Sequence, residues 1–107
     1  MSNYFSIACL QYASTKDEYK TLEIIEKWMV KAIGLGAELI ALPECATSLH
    51  EDSSITKELA SSEEKNISLN FFKKTAQSYG IYILVGSIPI KQKKKLFNRS
   101  FLIGPEG

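Results

Sequence analysis

One nine-residue segment, residues 36–44, constrains this chain more than any other, because it joins a helix stop, a buried strand and an acid. The segment reads Gly-Ala-Glu-Leu-Ile-Ala-Leu-Pro-Glu. Pro43 lacks a backbone N–H and therefore ends the strand's hydrogen-bonded ladder, so Glu44 follows on a stiff turn. In open α/β sheets, ligands bind outside the carboxyl ends of the strands. Glu44 is thus a candidate general base, and the alternative is an ordinary acidic residue on a surface turn.

The residues around this segment predict an α/β fold with a mixed sheet, in the order β-α-β-α-β-β. Apolar runs predict strands at residues 5–11, 38–42, 81–90 and 97–103. Two apolar stripes with helical spacing lie between the first three strands. They consist of Leu22, Ile25, Met29, Ala32 and Gly36, and of Leu69, Phe72, Ala76 and Tyr79. The first two strands should be parallel, since a helix connects them.

Local signals predict where the helices begin and end. Thr15 and Glu18 have the spacing of a capping box before the first helix, and Ser68 is the predicted N-cap of the second. Glycines should end both helices, at positions 34 and 36 and at position 80. Residues 46–65 are polar and irregular, with a short helix near residues 55–59. A segment of this kind, directly after a strand end, often lines a site.

Composition and charge narrow the class of protein. With 107 residues, 45% of them hydrophobic, and a net charge of +1, the chain is at most one globular domain. The charge gives no reason to expect binding to nucleic acid or to a membrane. Residues 1–4 do not resemble a secretory signal, and Cys9 and Cys45 form neither a metal-type spacing nor a disulfide framework. We therefore expect a reduced, cytoplasmic protein.

Three sets of residues, in order along the chain, carry a family resemblance. The first is a strand that ends in Gln11. The second is Gly36-Ala37, an apolar strand and Leu42-Pro43-Glu44. The third is Gly80-Ile81, Gly86, the segment 97–103 and a Pro-x-Gly turn at residues 105–107. Together they resemble the nitrilase superfamily of carbon–nitrogen hydrolases, and within it small bacterial amidase-type members related to deaminated-glutathione amidase and ω-amidase. The resemblance covers residues 1–107 and implies a partial domain, the N-terminal part of an α-β-β-α layered sandwich.

The resemblance also implies a mechanism and a partial set of site residues. A cysteine thiolate attacks an amide or nitrile carbon, a glutamate acts as base, and a lysine stabilises the tetrahedral intermediate. Glu44 matches the glutamate, and Asn98 matches an asparagine that supports the site. The lysine and cysteine positions fall beyond Gly107, so the 107 residues alone should be inactive. The implied substrate is a small-molecule amide, no cofactor or metal is needed, and the implied partner is a second copy or a complementing chain.

Two other interpretations remain open. The chain could be a non-catalytic product of a truncated or split gene, which predicts exposed apolar strands and obligate association. It could also be an unrelated α/β module such as a receiver domain. Against the latter, the first strand ends in Gln11 and not in the paired acids of a magnesium site.

The remaining reactive or aromatic residues have structural interpretations beside functional ones. Cys9 is expected in the core and Cys45 as a small packed residue, with a catalytic role as the alternative. His50 is a loop residue or a substrate contact. The lysine-rich run at residues 91–95 predicts a solvated hairpin turn, too flexible to fix a catalytic lysine. Trp28 and Tyr79 are expected to serve packing or an interface.

Overall fold

The computed structural model describes residues 3–107 and contains four strands and three helices. Met1 and Ser2, the start of the segment used above to argue against a secretory signal, lie outside the described residues. The elements are β1 Ile7–Cys9, α1 Glu18–Gly34, β2 Leu39–Leu42, α2 Ser53–Leu59, α3 Ile67–Tyr79, β3 Tyr82–Gln92 and β4 Lys95–Ile103. The predicted order is confirmed, with α2 as the short helix expected after the second strand. Across residues 3–107, every helix is too short or too polar to cross a bilayer.

The strands form one mixed sheet in the order β1-β2-β3-β4. β1 pairs in parallel with β2, and β2 in parallel with β3, whereas β3 and β4 form an antiparallel hairpin. β1 is shorter than the predicted strand over residues 5–11, since only three of its residues pair with β2. The β3–β4 register shifts between Val85 and Ile88, so Gly86 and Ser87 form a bulge beside the end of β2.

Both long helices lie on one face of the sheet, because two successive right-handed crossovers in the same direction place their helices on the same side. The predicted stripes supply the core there, except at their ends. Gly36 lies beyond α1 with a positive φ of 95°, and Tyr79 is 51% exposed. The buried apolar residues of this layer are Leu22, Ile25, Met29, Ala32, Leu69, Phe72 and Ala76 from the helices, and Ile40, Leu42, Ile83, Val85 and Ile103 from the strands.

The opposite face of the sheet is uncovered in residues 3–107. Its side chains belong to two rows of paired positions. One row is Ile7, Leu39 and Tyr82, and the other is Cys9, Ala41, Leu84 and Leu102. Leu102 is 64% exposed and Ile7 58%. The expectation that Cys9 is a core residue is therefore wrong: Cys9 is exposed and points to the face that no helix of residues 3–107 covers. We refer to these seven residues as the open face.

The two predicted N-caps are also wrong, and in each case the actual N-cap lies two residues away. The N-cap of α1 is Asp17, whose carboxylate accepts from the N–H groups of Tyr19 and Lys20. The hydroxyl of Thr15 is occupied instead by Asp17 and Thr21. The N-cap of α3 is Asn66, which accepts from the N–H of Leu69 at 2.8 Å.

The predicted N-cap of α3, Ser68, lies instead in the first turn of that helix. Ser68 is buried and donates to Glu18 at the start of α1, so this bond joins two helices through residues 50 positions apart in sequence. Because Asn66 caps the helix two residues earlier, Ser68 already has a helical position and cannot be the N-cap. The helix ends follow the prediction more closely, because Gly80 adopts the left-handed conformation just after α3.

The lysine-rich run forms the predicted hairpin turn between β3 and β4. Lys93 and Lys94 occupy the two central positions, both with positive φ, at 48° and 68°. This is the backbone of a type I′ turn, which suits the twist of the flanking strands but favours Asn and Gly over lysine.

Candidate functional site

Glu44 lies two residues beyond the end of β2, at the carboxyl edge of the two parallel strand pairs. Its side chain is exposed among residues 3–107. The residue before it, Pro43, has no backbone N–H and comes directly after the last ladder position, as the sequence predicts. The acid therefore stands at the edge of the sheet where the fold gathers ligand-binding groups.

Gly86 allows β3 to approach the end of β2 at very short range. A Cβ built on Gly86 would overlap the carbonyl group of Pro43 and would lie 2.6 Å from the carbonyl oxygen of Leu42. Real Cβ atoms do not approach backbone atoms so closely, so only glycine fits without a backbone shift. The bulge at Gly86 and Ser87 thus fixes the backbone immediately before Glu44.

The residue after Glu44 turns the chain sharply. Cys45 adopts a left-handed conformation with φ of 49°, which is uncommon for a residue with a side chain. This turn returns Ala46 to the core, where it is fully buried. Glu44, between Pro43 and Cys45, stays exposed at the surface. Non-glycine residues in such conformations cost of order 1–3 kcal/mol and cluster at functional sites.

The backbone of Cys45 and Ala46 is held by four hydrogen bonds to two other segments. On the β3 side, the N–H of Cys45 donates to the Ser87 hydroxyl at 2.9 Å, and the N–H of Ala46 donates to the Ser87 carbonyl at 2.9 Å. On the β1 side, the Ser14 hydroxyl donates to the Cys45 carbonyl at 2.5 Å, and the Tyr12 hydroxyl donates to the Ala46 carbonyl at 2.6 Å. We call these four bonds the turn clamp.

Burial raises the pKa of the Tyr12 phenol well above its ordinary value of 10.0. The cause is desolvation, which penalises the phenolate. The phenol therefore stays protonated, and so remains a donor to the Ala46 carbonyl, throughout the pH range in which enzymes work.

Asn98 and Cys45 line the same small cavity, with a volume of about 240 Å³. Asn98 lies on β4 opposite Pro89 and is exposed. Glu44 is not among the lining residues, and the structure gives no contact between its carboxylate and Asn98. The structure thus places Asn98 beside the turn that carries Glu44, without joining the two side chains.

His50 also lines this cavity, and it lines a second one of about 470 Å³ that extends toward the start of α1. Because His50 lines both cavities, both interpretations remain open: it is either a substrate contact or an ordinary loop residue. Cys45 is half-buried. In the segment 3–107, His, Cys, Asp and Glu side chains form no cluster of three or more that could hold a metal ion.

Sequence reasoning missed the residues of the turn clamp. Tyr12, Ser14 and Ser87 lie between 31 and 42 positions from the groups they bind, and no local pattern marks such contacts. The nearest signal is Gly86, a glycine within a strand, which indicates a bulge or a close backbone approach.

A family model described as carbon–nitrogen hydrolase matches residues 6–107 of this chain. Among curated proteins, the chain is 32% identical to an omega-amidase, NIT2, from Danio rerio, over 96% of this chain and 36% of the relative. It is 25% identical to 2-oxoglutaramate amidase from Bacillus subtilis, over 96% of this chain and 39% of the relative. The chain therefore spans between a third and two-fifths of the length of these relatives.

Solved structures show the same fold at lower identity. Nit3 from Saccharomyces cerevisiae, a member of branch 10 of the nitrilase superfamily, superposes with a TM-score of 0.84 at 21% identity, over 96% of this chain and 41% of that chain. An amidase from Nesterenkonia sp. gives a TM-score of 0.76 at 22% identity, over 95% of this chain and 39% of that one.

Proposed function

Because the chain belongs to the carbon–nitrogen hydrolase family, we propose that it supplies the general base, Glu44, of an enzyme that hydrolyses small-molecule amides. The observation that carries this proposal is the fixed position of Glu44 at the carboxyl edge of β2. A surface acid of no function would not need a glycine contact before it and a clamped, left-handed turn after it.

The proposed reaction has two halves, and Glu44 moves a proton in each. A cysteine thiol is mostly protonated at neutral pH, since its ordinary pKa is about 8.5, so it needs an adjacent base to attack an amide carbon. Glu44 takes the thiol proton, and that proton leaves with the ammonia or amine when the C–N bond breaks. Glu44 then takes a proton from water, which attacks the thioester. The products are a carboxylic acid and the restored thiol.

The other two groups of the proposed site, the nucleophilic cysteine and the oxyanion-stabilising lysine, lie outside these 107 residues. A developing oxyanion needs fixed positive charge or hydrogen-bond donors, and one donor is commonly worth about 3–4 kcal/mol. In this proposal, residues 1–107 are the N-terminal part of a carbon–nitrogen hydrolase domain and are inactive by themselves. Asn98 supports the site from β4, beside the turn of Glu44.

The open face supports the proposal that further polypeptide completes the site. It presents paired apolar side chains from all four strands, and exposed apolar patches of this kind mark surfaces that other protein covers. The resemblance to an α-β-β-α sandwich predicts a second sheet at this place. Whether that sheet belongs to the same polypeptide or to a complementing chain, it would bring new side chains to the edge where Glu44 stands.

The substrate class we propose is a small amide with a free carboxylate, of which 2-oxoglutaramate is an example. It is supported by the names of the relatives, an omega-amidase and a 2-oxoglutaramate amidase. The test is ammonia release by the protein made from its complete coding sequence, with 2-oxoglutaramate, glutaramate and a glycine dipeptide as substrates. We expect ammonia from the first two and no cleavage of the dipeptide. Absence of ammonia from both amides, or cleavage of the dipeptide, would contradict the proposal.

A further inference from the structure

We propose that Tyr12, Ser14 and Ser87 are positioning residues, which hold the Glu44 carboxylate in place through the backbone of Cys45 and Ala46. This inference rests on the proposed function of Glu44. It adds to it the three side chains, from two segments distant in sequence, on which the geometry of the base depends.

The first step concerns what the turn clamp satisfies. Cys45 and Ala46 lie outside helices and strands, so their N–H and C=O groups have no regular partners. Nevertheless all four groups are bonded, two to Ser87 and one each to Ser14 and Tyr12. Because all four of these groups are bonded, Cys45 and Ala46 cannot shift without breaking several bonds together.

The second step concerns the position of Glu44 within this arrangement. On its N-terminal side, Pro43 is pressed against the backbone of Gly86. On its C-terminal side, Cys45 is held by the turn clamp, and Ala46 is anchored in the core. Both neighbours of Glu44 are therefore held in place, which restricts the backbone from which its side chain extends.

The third step concerns the two sides of the clamp. Ser87 belongs to the bulge of β3, whereas Tyr12 and Ser14 follow β1. Glu44 follows β2, which lies between these two strands. The clamp thus ties the turn that carries Glu44 to both neighbouring strands. Without the Ser87 hydroxyl, only the bond from the Ala46 N–H to the Ser87 carbonyl remains on the β3 side.

Three substitutions in the protein made from its complete coding sequence test the inference: Ser87→Ala, Ser14→Ala and Tyr12→Phe. Misplacement of a catalytic group by about 1 Å can cost about a hundredfold in rate. Partial loosening should therefore lower kcat by about tenfold in each variant, while KM changes by less than about twofold. Ser87→Thr keeps the hydroxyl oxygen and should restore most of the rate.

Ser68→Ala is the matched control. It also removes one partly buried serine hydrogen bond, to Glu18, but at the contact between α1 and α3. It should lower the melting temperature as much as Ser87→Ala does, without the loss of kcat. If Ser87→Ala and Ser68→Ala reduce kcat equally, or if Ser87→Thr fails to restore it, the clamp has only a general structural role and the inference is wrong.

A second measurement separates this inference from the proposed function. Backbone ¹⁵N relaxation should give order parameters near 0.85 for residues 44–46 in the parent protein, and values toward 0.6 in Ser87→Ala. If these values fall but Glu44→Gln leaves activity intact, the clamp is real and the proposed base is wrong. If Glu44→Gln abolishes activity while the clamp variants keep both order and rate, the base stands and the clamp is overturned.

Discussion

The backbone of Gly86 lies against the carbonyl group of Pro43, with no space between them for a side chain. This contact joins the bulge of β3 to the residue that follows β2, directly before the proposed base. It explains why a glycine stands inside a strand that is otherwise rich in branched apolar residues. It also yields a direct test of how much the fold depends on this close approach.

Replacement of Gly86 by alanine should destabilise the protein by about 1–3 kcal/mol or more, since overpacking against backbone atoms cannot be relieved by a change of rotamer. Gly34→Ala is the matched control, because a Cβ there meets no atom within 4 Å and the residue ends α1. That change should stabilise by about 0.5–1 kcal/mol. Urea denaturation measures both, and a neutral Gly86→Ala would refute the contact.

The hairpin turn offers a stabilising change. Lys93 and Lys94 both have positive φ, a conformation in which Asn followed by Gly is preferred. The double variant Lys93→Asn/Lys94→Gly should therefore raise the free energy of unfolding by about 0.5–1 kcal/mol. Lys95→Gly, within β4, should lower it by a similar amount. Equal effects of the two changes would show that the turn is not of type I′.

The start of α2 should respond to acid. The backbone N–H of Ser54, and then its hydroxyl, donate to the Asp52 carboxylate and hold its pKa below the ordinary value of 3.8. Since the folded-state pKa is the lower one, the cap's contribution is fully present above pH 3.8 and is lost as pH falls through the folded value. The protection of the Ser54 amide against exchange, relative to the intrinsic rate at each pH, should fall in that range. In Asp52→Asn, which keeps an acceptor but does not titrate, this pH dependence should disappear.

The open face should make the isolated 107-residue chain associate. Its apolar side chains, of which Leu102 is 64% and Ile7 58% exposed, are expected to bind a hydrophobic dye and to raise the apparent mass in sedimentation. Leu84→Lys/Leu102→Lys should reduce both signals. Leu35→Lys is the control, because this leucine is 82% exposed but lies at the end of α1. A monomer without dye binding would contradict the interpretation of this face.

The sequence predicts the layers of this fold well, because periodic apolar residues report directly on which face is buried. Ile25 and Met29 on α1, and Phe72 on α3, lie in the core as their spacing predicts. The N-terminal ends of the helices were harder to predict. Thr15 and Ser68 have the chemistry of caps, but so do Asp17 and Asn66, which lie two residues away and are the actual caps. The sequence alone does not decide between two such neighbours.

The exposure of Cys9 has a different cause. Its strand is apolar on both sides, a pattern typical of a strand buried on both faces, whereas helices cover only one face in residues 3–107. For the site, the sequence proposes Glu44 and Asn98, which stay predictions, and gives no sign of the clamp. Ser87 is 42 residues from Cys45, and no periodicity relates two such positions.

The exchange of Glu44 for glutamine tests the central claim most directly. Glutamine keeps the size and hydrogen-bonding ability of the side chain but cannot accept the thiol proton, and general bases contribute about 10²–10⁴-fold. Glu26→Gln, an exposed acid on α1, is the control. We predict that ammonia release from 2-oxoglutaramate by the protein made from its complete coding sequence falls at least about a hundredfold in Glu44→Gln and is unchanged in Glu26→Gln. Equal rates in the two variants would contradict the account.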